Sequence, residues 1–373
     1  MTPVTVLVLA PAITSDAGPL ERVLDAARTA LAEHHREGFA AAGATTVIVR
    51  REPPDDTPFG ARLRRLVGEL RPVGLVVLGA GAIPLATPAD RRALVEAAGS
   101  AERRALTNQR YSADVIAIAR AGEVLRDLPD LPSDNALPRW LAEAAGVTVR
   151  DLAARRRLAV DVDSPLDLLL LEGVRAAPRL PQPTDDDAAP VRGRLAALRR
   201  LATDPLAELL VAGRTSAVDL RWLERGTRSR TRVLVEERGL RTASAAAVLG
   251  RPNRRPPRSL LGELLDRDGP ASLGRLVAGL ADGALVDTRV LLAHRLGADE
   301  RAWPPAEDRF ASDLLLPDAV RDPWLHALTD AAAGAPVPVL LGGHSLVGPG
   351  LRLALAPGPR VAVGDGTAPD RRP

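Results

Sequence analysis

The sequence has 373 residues and a formal net charge of +3. Its length is large for a single hydrophobic core and predicts two domains. It has no cysteine, and all 50 basic residues are arginine, so disulfides, thiolate catalysis and chemistry that needs a lysine amine are excluded. Four Trp, one Tyr and three Phe offer few rings for stacking on bases, and no apolar run reaches membrane-spanning length, so we expect neither nucleic acid nor a membrane as partner.

The first 80 residues alternate between apolar runs and amphipathic segments. The earliest run, Thr5–Ala12, has no basic leader before it, which is typical of a buried strand and not of a signal peptide, so we expect a cytoplasmic protein. The pattern predicts strands at Val4–Leu9, Thr45–Val49 and Leu75–Leu78, and helices at Pro19–His35 and Phe59–Leu70. A β-α-β-α-β series of this kind predicts a parallel sheet with right-handed crossovers.

The third predicted strand leads into a glycine loop and a capped helix. Small residues at Gly79–Ala82 would let the backbone pass close to another group. Thr87 and Asp90 then have the spacing of a capping box, and Pro88 suits the first helical position. This order is typical of nucleotide-binding α/β folds, but α/β proteins that bind no nucleotide share it, so it indicates architecture only.

Shorter elements are predicted between residues 104 and 173. We expect strands at Arg104–Asn108, Asp114–Ala119, Val147–Leu152 and Leu158–Val162, and helices at Ala121–Asp127, Asn135–Ala145 and Ser164–Gly173. Between the first two strands, the turn Asn108–Ser112 concentrates hydrogen-bonding groups. It would either line a substrate cleft or form a solvated hairpin turn.

Two carboxylates in this region have the spacing of a metal site. On a strand over Leu158–Val162, Asp161 and Asp163 would project to the same face at its carboxyl end, before a helix with a second capping box at Ser164 and Asp167. Such a pair could hold a Mg²⁺ ion that bridges phosphate oxygens. The alternative is that Asp163 is a turn residue before Ser164 and Asp161 is a solvated edge charge.

The segment DVDSPLDL, residues 161–168, resembles the closing D-[IV]-D-[TS]-P-x-D-L motif of small-molecule nucleotidyltransferases. The similarity is to phospholactate guanylyltransferases and, more distantly, to molybdenum-cofactor guanylyltransferases. Pro19–Leu24 resembles the helix after their phosphate-binding loop, and Gly81–Leu85 takes the place of their G-D-x-P-L motif. Leu131–Arg139 resembles their G-x-x-S-x-x-x-H stretch, so the resemblance covers about residues 1–175.

The resemblance implies a glycosyltransferase-A-like αβα sandwich with a mostly parallel sheet. It implies that a phosphorylated small molecule attacks the α-phosphate of a nucleoside triphosphate (NTP) and releases pyrophosphate. Asp161 and Asp163 would be the catalytic residues and the Mg²⁺ ligands. Nucleotide contacts are implied at Ala10, Pro11, Ser15, Asp16, Gly79, Gly81 and Asn108.

Two departures from the family pattern favour an alternative function. The loop after the first strand, APAITSDAG, has one acidic and no basic residue, where the family has a Gly-rich loop with a base. Ala82 stands where the family has the metal-binding Asp of G-D-x-P-L. Because phosphoryl transfer depends on charge neutralisation, these changes favour a catalytically degenerate nucleotide-binding or regulatory module as the alternative.

The second half is predicted to be a separate domain. Residues 176–193 are rich in Pro and Asp and predict a linker between a nucleotidyltransferase-like domain, 1–175, and a helix-rich α+β domain, 194–355, with a flexible tail at 356–373. We expect helices at Pro205–Ala212, Ser216–Arg225, Arg258–Arg267, Pro270–Ala281, Gly283–Leu296 and Pro317–Ala333, and strands at Arg232–Glu236, Pro338–Leu341 and Leu351–Leu355.

Polar clusters in the second half give a third alternative, a phosphate-handling enzyme with its site there. Arginines around one predicted strand would form either an anion site or surface salt bridges. Asp287 and His294 would share a helix face, and His344 follows an apolar strand, but no histidine spacing supports a metal site. The candidate residues are Arg230, Arg232, Arg238, Asp287, Arg289, His294, Asp308 and His344. The sequence does not predict an oligomeric state.

Overall fold

The structure is a computed structural model that describes residues 2–356 apart from 54, 56, 241 and 244–254. The strands are β1 Val4–Pro11, β2 Thr46–Glu52, β3 Gly74–Gly79, β4 Arg104–Thr107, β5 Val115–Ile118, β6 Thr148–Asp151, β7 Glu208–Gly213, β8 Arg230–Val235, β9 Gly283–Asp287 and β10 Val339–Gly342. The helices of the first half are α1 Pro19–Ala41, α2 Phe59–Leu70, α3 Pro88–Ala98, α4 Ala121–Val124, α5 Leu137–Glu143 and α6 Pro165–Leu171. The later helices are α7 Asp185–Thr203, α8 Ala217–Gly226, α9 Leu260–Asp268, α10 Leu273–Ala278, α11 Thr288–Leu296, α12 Ala306–Asp313, α13 Pro323–Ala333, α14 His344–Val347 and α15 Leu351–Leu355.

The first half forms a six-stranded, mostly parallel sheet in the order β2-β1-β3-β5-β4-β6. β1 pairs in parallel with both β2 and β3, as the β-α-β-α-β pattern predicts. β5 runs antiparallel between β3 and β4, and β4 pairs in parallel with β6. The chain crosses from one side of β1 to the other between β2 and β3, so the carboxyl ends of β1 and β3 flank a topological switch point, where α/β proteins place ligands.

Helices cover both faces of this sheet. On one face the side chains of β1 and β3 pack with α1 and α3 around Phe39 and Leu94. On the other face, Leu63 of α2 and Leu141 of α5 pack against β3 and β5. The first half is therefore a three-layer α/β unit, since a parallel sheet needs apolar cover on both faces.

Both predicted capping boxes are present. The Thr87 hydroxyl accepts a hydrogen bond from the Asp90 amide at 3.2 Å, and the Asp90 carboxylate accepts one from the Thr87 amide at 2.8 Å. Ser164 and Asp167 form the corresponding box at the start of α6. These caps fix where α3 and α6 begin, and therefore where the loops before them end.

The second half differs from the predicted α+β fold. β7, β8, β9 and β10 form an entirely parallel sheet in the order β10-β9-β7-β8, so this half is also α/β. The helix predicted at Pro205–Ala212 is mostly strand β7, the one at Gly283–Leu296 is β9 followed by α11, and the strand at Leu351–Leu355 is helix α15. Every residue of β9 and five of the six residues of β7 are buried. Strands buried on both faces lack polar alternation, so their short apolar runs cannot be told from helix segments by pattern.

The expected linker is partly helical and partly buried. Helix α7 begins at Asp185, inside the range 176–193, and Ala188 and Val191 are fully buried. The largest apolar cluster joins Leu24 of α1 and Leu169 of α6 to β7, β9 and β10. The two halves thus share a continuous core, while their assignment as separate domains stays a prediction. The predicted tail lies outside the described residues beyond Ala356.

The prediction of a strand at Leu158–Val162 is wrong. Residues Arg156–Ala159 form a short 3₁₀ helix, and only Asp161 makes a bridge, to Ala82. α6 follows directly and is buried at all seven positions, as expected for a helix that is apolar on nearly all sides.

Throughout the part of the chain that the structure describes, we find no helix that combines the length and apolarity needed to cross a membrane.

Candidate functional site

A cavity of about 530 Å³ opens at the carboxyl ends of β1 and β3. Its floor comes from Leu9, Pro11 and the loop Gly79–Ala82, and its sides from Asp161, Asp163 and a segment around Asp134. Residues Asp299, Glu300 and Arg301 of the second half also line it. We call this space the first cavity; it lies at the switch point of the first sheet, as the ligand-binding rule for α/β folds predicts.

The bridge between Ala82 and Asp161 brings the two predicted motifs together. The Val162 amide donates a hydrogen bond to the Gly81 carbonyl oxygen at 3.0 Å, and the Asp161 carboxylate accepts one from the Val162 amide at 2.9 Å. A Cβ atom at position 81 would lie 2.6 Å from the Val162 carbonyl oxygen. A glycine at position 81 therefore permits this close approach of the two backbones.

Arg28, on α1, supplies a positive charge that the sequence analysis did not identify. Its Nε donates to the Val162 carbonyl oxygen at 3.0 Å, and its Nη2 lies 3.2 Å from the Asp163 carboxylate. Asp163 is about half exposed, with 51% of its side chain accessible. The loop after β1 has no basic side chain, but α1 places the guanidinium group of Arg28 on the cavity wall, next to the carboxylate pair.

The loop that carries Ala82 is held from behind by a buried histidine. His35 Nε2 lies 2.9 Å from the Ala82 carbonyl oxygen, to which a neutral ring donates. Burial, followed by the nearby positive charge of Arg91, lowers the pKa of His35 to about 3. The next residue, Ile83, is fully buried with a φ of 45°, a conformation that β-branched residues rarely adopt. The surrounding packing thus holds this loop in a strained conformation.

Three consecutive arginines before the DVDSP segment point in two directions. Arg155 and Arg157 both bind the buried carboxylate of Asp90, at 2.8 Å and 2.7 Å. Burial opposes ionisation of Asp90, but hydrogen bonds from Arg157 and Thr87 hold its pKa below the usual value. Arg156, between them, reaches Asp219 of α8 at 2.8 Å. This turn therefore ties the segment before Asp161 to α3 and to the second half at once.

A smaller cavity of about 190 Å³, which we call the second cavity, lies between the two halves. Asp114, Asp161 and Asp163 line it as well as the first cavity, so the two spaces share one acidic wall. The opposite wall comes from loops after β7 and β10 and from the segment after β8. Its polar residues there are Arg214, Ser216, Asp219, Arg238, Thr242, His344 and Ser345.

Buried ion pairs lie beneath this second wall. Arg214 binds Asp287 through Nε at 2.6 Å and through Nη2 at 3.0 Å. Burial would raise the pKa of Asp287, but Arg214 and His344 hold it below the usual value. Arg289 binds Asp313 through Nη2 at 2.7 Å, and although burial opposes its charge, Asp313 raises the pKa of Arg289. Asp287 and Arg289 thus form buried ion pairs at the carboxyl end of β9.

The carboxyl group of Asp167 combines a capping role with an unusual environment. It accepts hydrogen bonds from the amides of Asp163 and Ser164 at 3.0 Å and 2.8 Å. Complete burial, with the negative charge of Asp163 nearby, raises the pKa of Asp167 to about 7. Asp167 therefore fixes the backbone of Asp163 directly.

The predicted nucleotide contacts separate into two groups. Pro11, Gly79 and Gly81 line the first cavity, whereas Ala10 is buried in β1 and neither Ser15 nor Asp16 belongs to the lining. Asn108 is 98% buried, since only 2% is exposed, and its side chain binds Asp114 and the Leu158 carbonyl oxygen, both at 2.8 Å. This hydrogen bond positions Asp114, and Asn108 is not among the residues that line the first cavity. From the neighbouring turn, Gln109, Tyr111 and Ser112 line the second cavity.

The N-terminal end of α1 already holds a carboxylate from the second half. The Leu20 and Glu21 amides donate to the two carboxylate oxygens of Glu307, at 3.1 Å and 3.0 Å. The free amides at a helix N-terminus attract anions. The described structure therefore places Glu307, 286 residues further along, at a position that could otherwise bind phosphate.

The candidates of the second half occupy several places. Arg230 and Arg232 pair with Glu208 on the exposed face of β8, at 3.4 Å and 3.0 Å, which is the surface salt-bridge alternative. His294 binds Asp266 at 3.0 Å and does not share a site with Asp287. The Asp308 carboxylate accepts from the amides of residues 321 and 322, so its contacts are structural. Arg238 and His344 do line the second cavity.

The donors at the shared acidic wall fit a hard cation. Asp161 and Asp163 supply carboxylate oxygens, and Mg²⁺ is commonly bound by one or two carboxylates together with substrate phosphates. Among the described residues, no group of three or more His, Cys, Asp or Glu side chains could hold a metal by itself. Ligand oxygens would thus have to complete such a site.

Comparisons with known proteins found no matching family model and no similar curated protein.

Proposed function

We propose that the chain binds an NTP with Mg²⁺ in the first cavity and transfers its nucleotidyl group to a phosphorylated small molecule. The observation that carries this proposal is the bridge between Ala82 and Asp161. It puts the glycine loop and the DVDSP segment on one wall of a cavity at the switch point of a mostly parallel sheet. The three-layer arrangement also supports the glycosyltransferase-A-like fold that we propose for residues 1–175.

The charge of the first cavity bears on how a nucleotide would bind. Two arginines and six acidic side chains line it, the acids being Asp114, Asp134, Asp161, Asp163, Asp299 and Glu300. A triphosphate would be repelled by this excess of negative charge unless a cation bound with it. We therefore expect the magnesium complex to bind and the metal-free nucleotide to bind much more weakly.

The proposed roles follow from position. Asp161 and Asp163 would hold Mg²⁺, which neutralises phosphate charge when bound. Arg28 would contact a phosphate oxygen and keep Asp163 oriented. Gly79 and Gly81 would let the nucleotide approach the backbone. An oxygen of the acceptor phosphate forms a new bond to the α-phosphorus, the bond from that phosphorus to the α,β-bridging oxygen breaks, and pyrophosphate leaves with the electron pair.

Two observations favour a second candidate, a nucleotide-binding module without turnover. Ala82 provides no carboxylate at the position where the resembling family has a metal ligand. Glu307 also occupies the amides at the start of α1. The missing carboxylate weakens binding of the cation that would neutralise a triphosphate in the transition state, and Glu307 takes up two amides that could bind its phosphates, while neither feature closes the first cavity.

Calorimetric titration of the full chain with GTP and ATP, with and without Mg²⁺, tests the proposal. We expect magnesium-dependent binding that is lost in Asp163→Asn and kept in Asp127→Asn, which changes an exposed aspartate outside the cavity. Pyrophosphate release in the presence of phosphorylated acceptors supports transfer. Binding without release across an acceptor panel supports the second candidate, and no binding of either nucleotide refutes both.

A further inference from the structure

The second cavity has a basic wall that the proposed nucleotide site does not use. We propose that it binds the phosphate group of a small phosphorylated molecule, and that the second half of the chain thereby supplies the acceptor site. The acceptor role rests on the proposed function, whereas phosphate binding itself does not. Arg238 is the central contact, and Arg214 and His344 lie on the same wall.

Arg238 differs from the other arginines near β8. Arg230 and Arg232 each pair with Glu208, so their charges are partly neutralised on the surface. Arg238 is exposed and lines the cavity, and within the described ranges no acidic side chain forms an ion pair with it. A guanidinium group in this position can donate two hydrogen bonds to one phosphate.

Two other arginines that line the second cavity are held in fixed orientations. Arg214 is forked onto the buried Asp287, and Arg156 is bound to the buried Asp219, which is 1% exposed. Preorganised donors of this kind lose little conformational freedom when a ligand binds. The ion pairs thus prepare the wall on which Arg238 supplies the additional charge.

The position of the cavity agrees with a ligand site. Strand order β10-β9-β7-β8 puts a switch point between β7 and β9, and Arg214 and Asp287 lie at the carboxyl ends of these two strands. The second cavity is therefore related to its sheet as the first cavity is to the other sheet. The two cavities share Asp114, Asp161 and Asp163 as lining residues.

Size and reactivity narrow the ligand class. A volume of about 190 Å³ is below the roughly 300 Å³ at which pockets for drug-sized ligands begin, so a nucleotide would not fit but a phosphate on a few carbons would. The oxygen of such a phosphate is ionised near neutral pH and needs no base to become a nucleophile. It would attack from the side of the shared acidic wall, where the proposed metal lies, and the displaced pyrophosphate would leave toward the first cavity.

Binding of inorganic phosphate to the full chain tests this inference. We would titrate phosphate at constant ionic strength near 0.15 M, with ³¹P resonance broadening as the readout, and acetate in a parallel series. Arg238→Gln should weaken phosphate binding at least tenfold, and Arg232→Gln, the same change on the preceding strand β8 and outside the cavity, should leave it unchanged. Acetate should not compete at equal concentration, which separates a phosphate site from a general carboxylate site.

The outcomes separate this inference from the proposed function. Phosphate binding that is equally strong in wild type and Arg238→Gln, or equally weakened in Arg232→Gln, overturns the site. Equal competition by acetate overturns the assigned phosphate class. NTP binding, measured by calorimetry on the same variants, should be unchanged in Arg238→Gln. If phosphate binds through Arg238 but no NTP binds, the phosphate site stands and the proposed transfer fails. If NTP binds but phosphate does not, the phosphate site fails and the proposed nucleotide binding stands.

Discussion

His35 donates a hydrogen bond to the Ala82 carbonyl oxygen across 2.9 Å, joining α1 to the loop at the first cavity. The ring is fully buried, with Arg91 and His34 as its charged and titratable neighbours, and both oppose a second proton. A protonated ring would place an unpaired charge in the core, so the folded state keeps His35 neutral.

This environment predicts a pH dependence of stability. The pKa of His35 falls from 6.5 in the unfolded chain to about 3 in the folded one, so the unfolded state binds more protons between these values. The contribution is complete above pH 6.5 and is lost as the pH falls, by about 1.4 kcal/mol per unit. In urea unfolding from pH 7 to 4, the free energy of unfolding should fall more steeply for the wild type than for His35→Gln. Parallel curves, or the same effect in His326→Gln, would contradict the assignment.

Gly81 and Gly79 provide a matched pair at the cavity floor. A Cβ atom at position 81 would lie 2.6 Å from the Val162 carbonyl oxygen and 3.1 Å from an Asp161 carboxylate oxygen, whereas one at position 79 would meet nothing within 4 Å. We expect Gly81→Ala to lower the free energy of unfolding by about 1–3 kcal/mol and Gly79→Ala by less than about 0.5 kcal/mol. Chemical denaturation measures both. Equal losses would show that the close approach of the two backbones is not required.

Glu307 should stabilise the fold by capping α1 from the second half. Its carboxylate accepts from two amides at the helix N-terminus, so Glu307→Gln removes charge and one acceptor oxygen. The expected loss is about 0.5–2 kcal/mol, decreasing as salt is added. Glu37→Gln, near the other end of the same helix, should be neutral or slightly stabilising because the dipole is reversed there. If the two variants melt alike at low salt, the cap contributes nothing.

Ala82→Asp should make the stability of the protein depend on a cation bound in the first cavity. Ala82 is 98% buried beside Asp161, and a second carboxylate there would be repelled by the first unless Mg²⁺ bound to both. In chelator we expect Ala82→Asp to melt below Ala82→Asn, and Mg²⁺ to raise the melting temperature of the Asp variant more. An equal magnesium response in both variants would mean that position 82 does not face the metal.

Local patterns predicted what depends on neighbours in sequence. The β-α-β-α-β series and the capping boxes at Thr87 and Ser164 rest on short-range signals. β7 and β9 were misassigned because strands buried on both faces have no alternation. The all-parallel second sheet therefore could not be predicted from the pattern of polar and apolar residues.

The missed site residues depend on contacts that are distant in sequence. Arg28 meets Asp163 across 135 residues, and Glu307 meets Leu20 across 287. No local rule predicts such pairs. Weak signals did exist: Arg28 adjoins Ala27 on the apolar stripe of α1, and the run Arg155–Arg157 comes directly before the segment that carries Asp161. Three charges packed before a buried segment indicate partners on more than one neighbouring element.

The core that α1 and α6 share with β7, β9 and β10 has a consequence for how the chain can be rearranged. A fragment cut near residue 175 would expose Leu24 and Leu169 to solvent and leave the α1 amides without Glu307. Chimaeras that exchange one half between homologous proteins should fold only when the facing surfaces match. The two halves are thus expected to be inherited together as a single recombination unit.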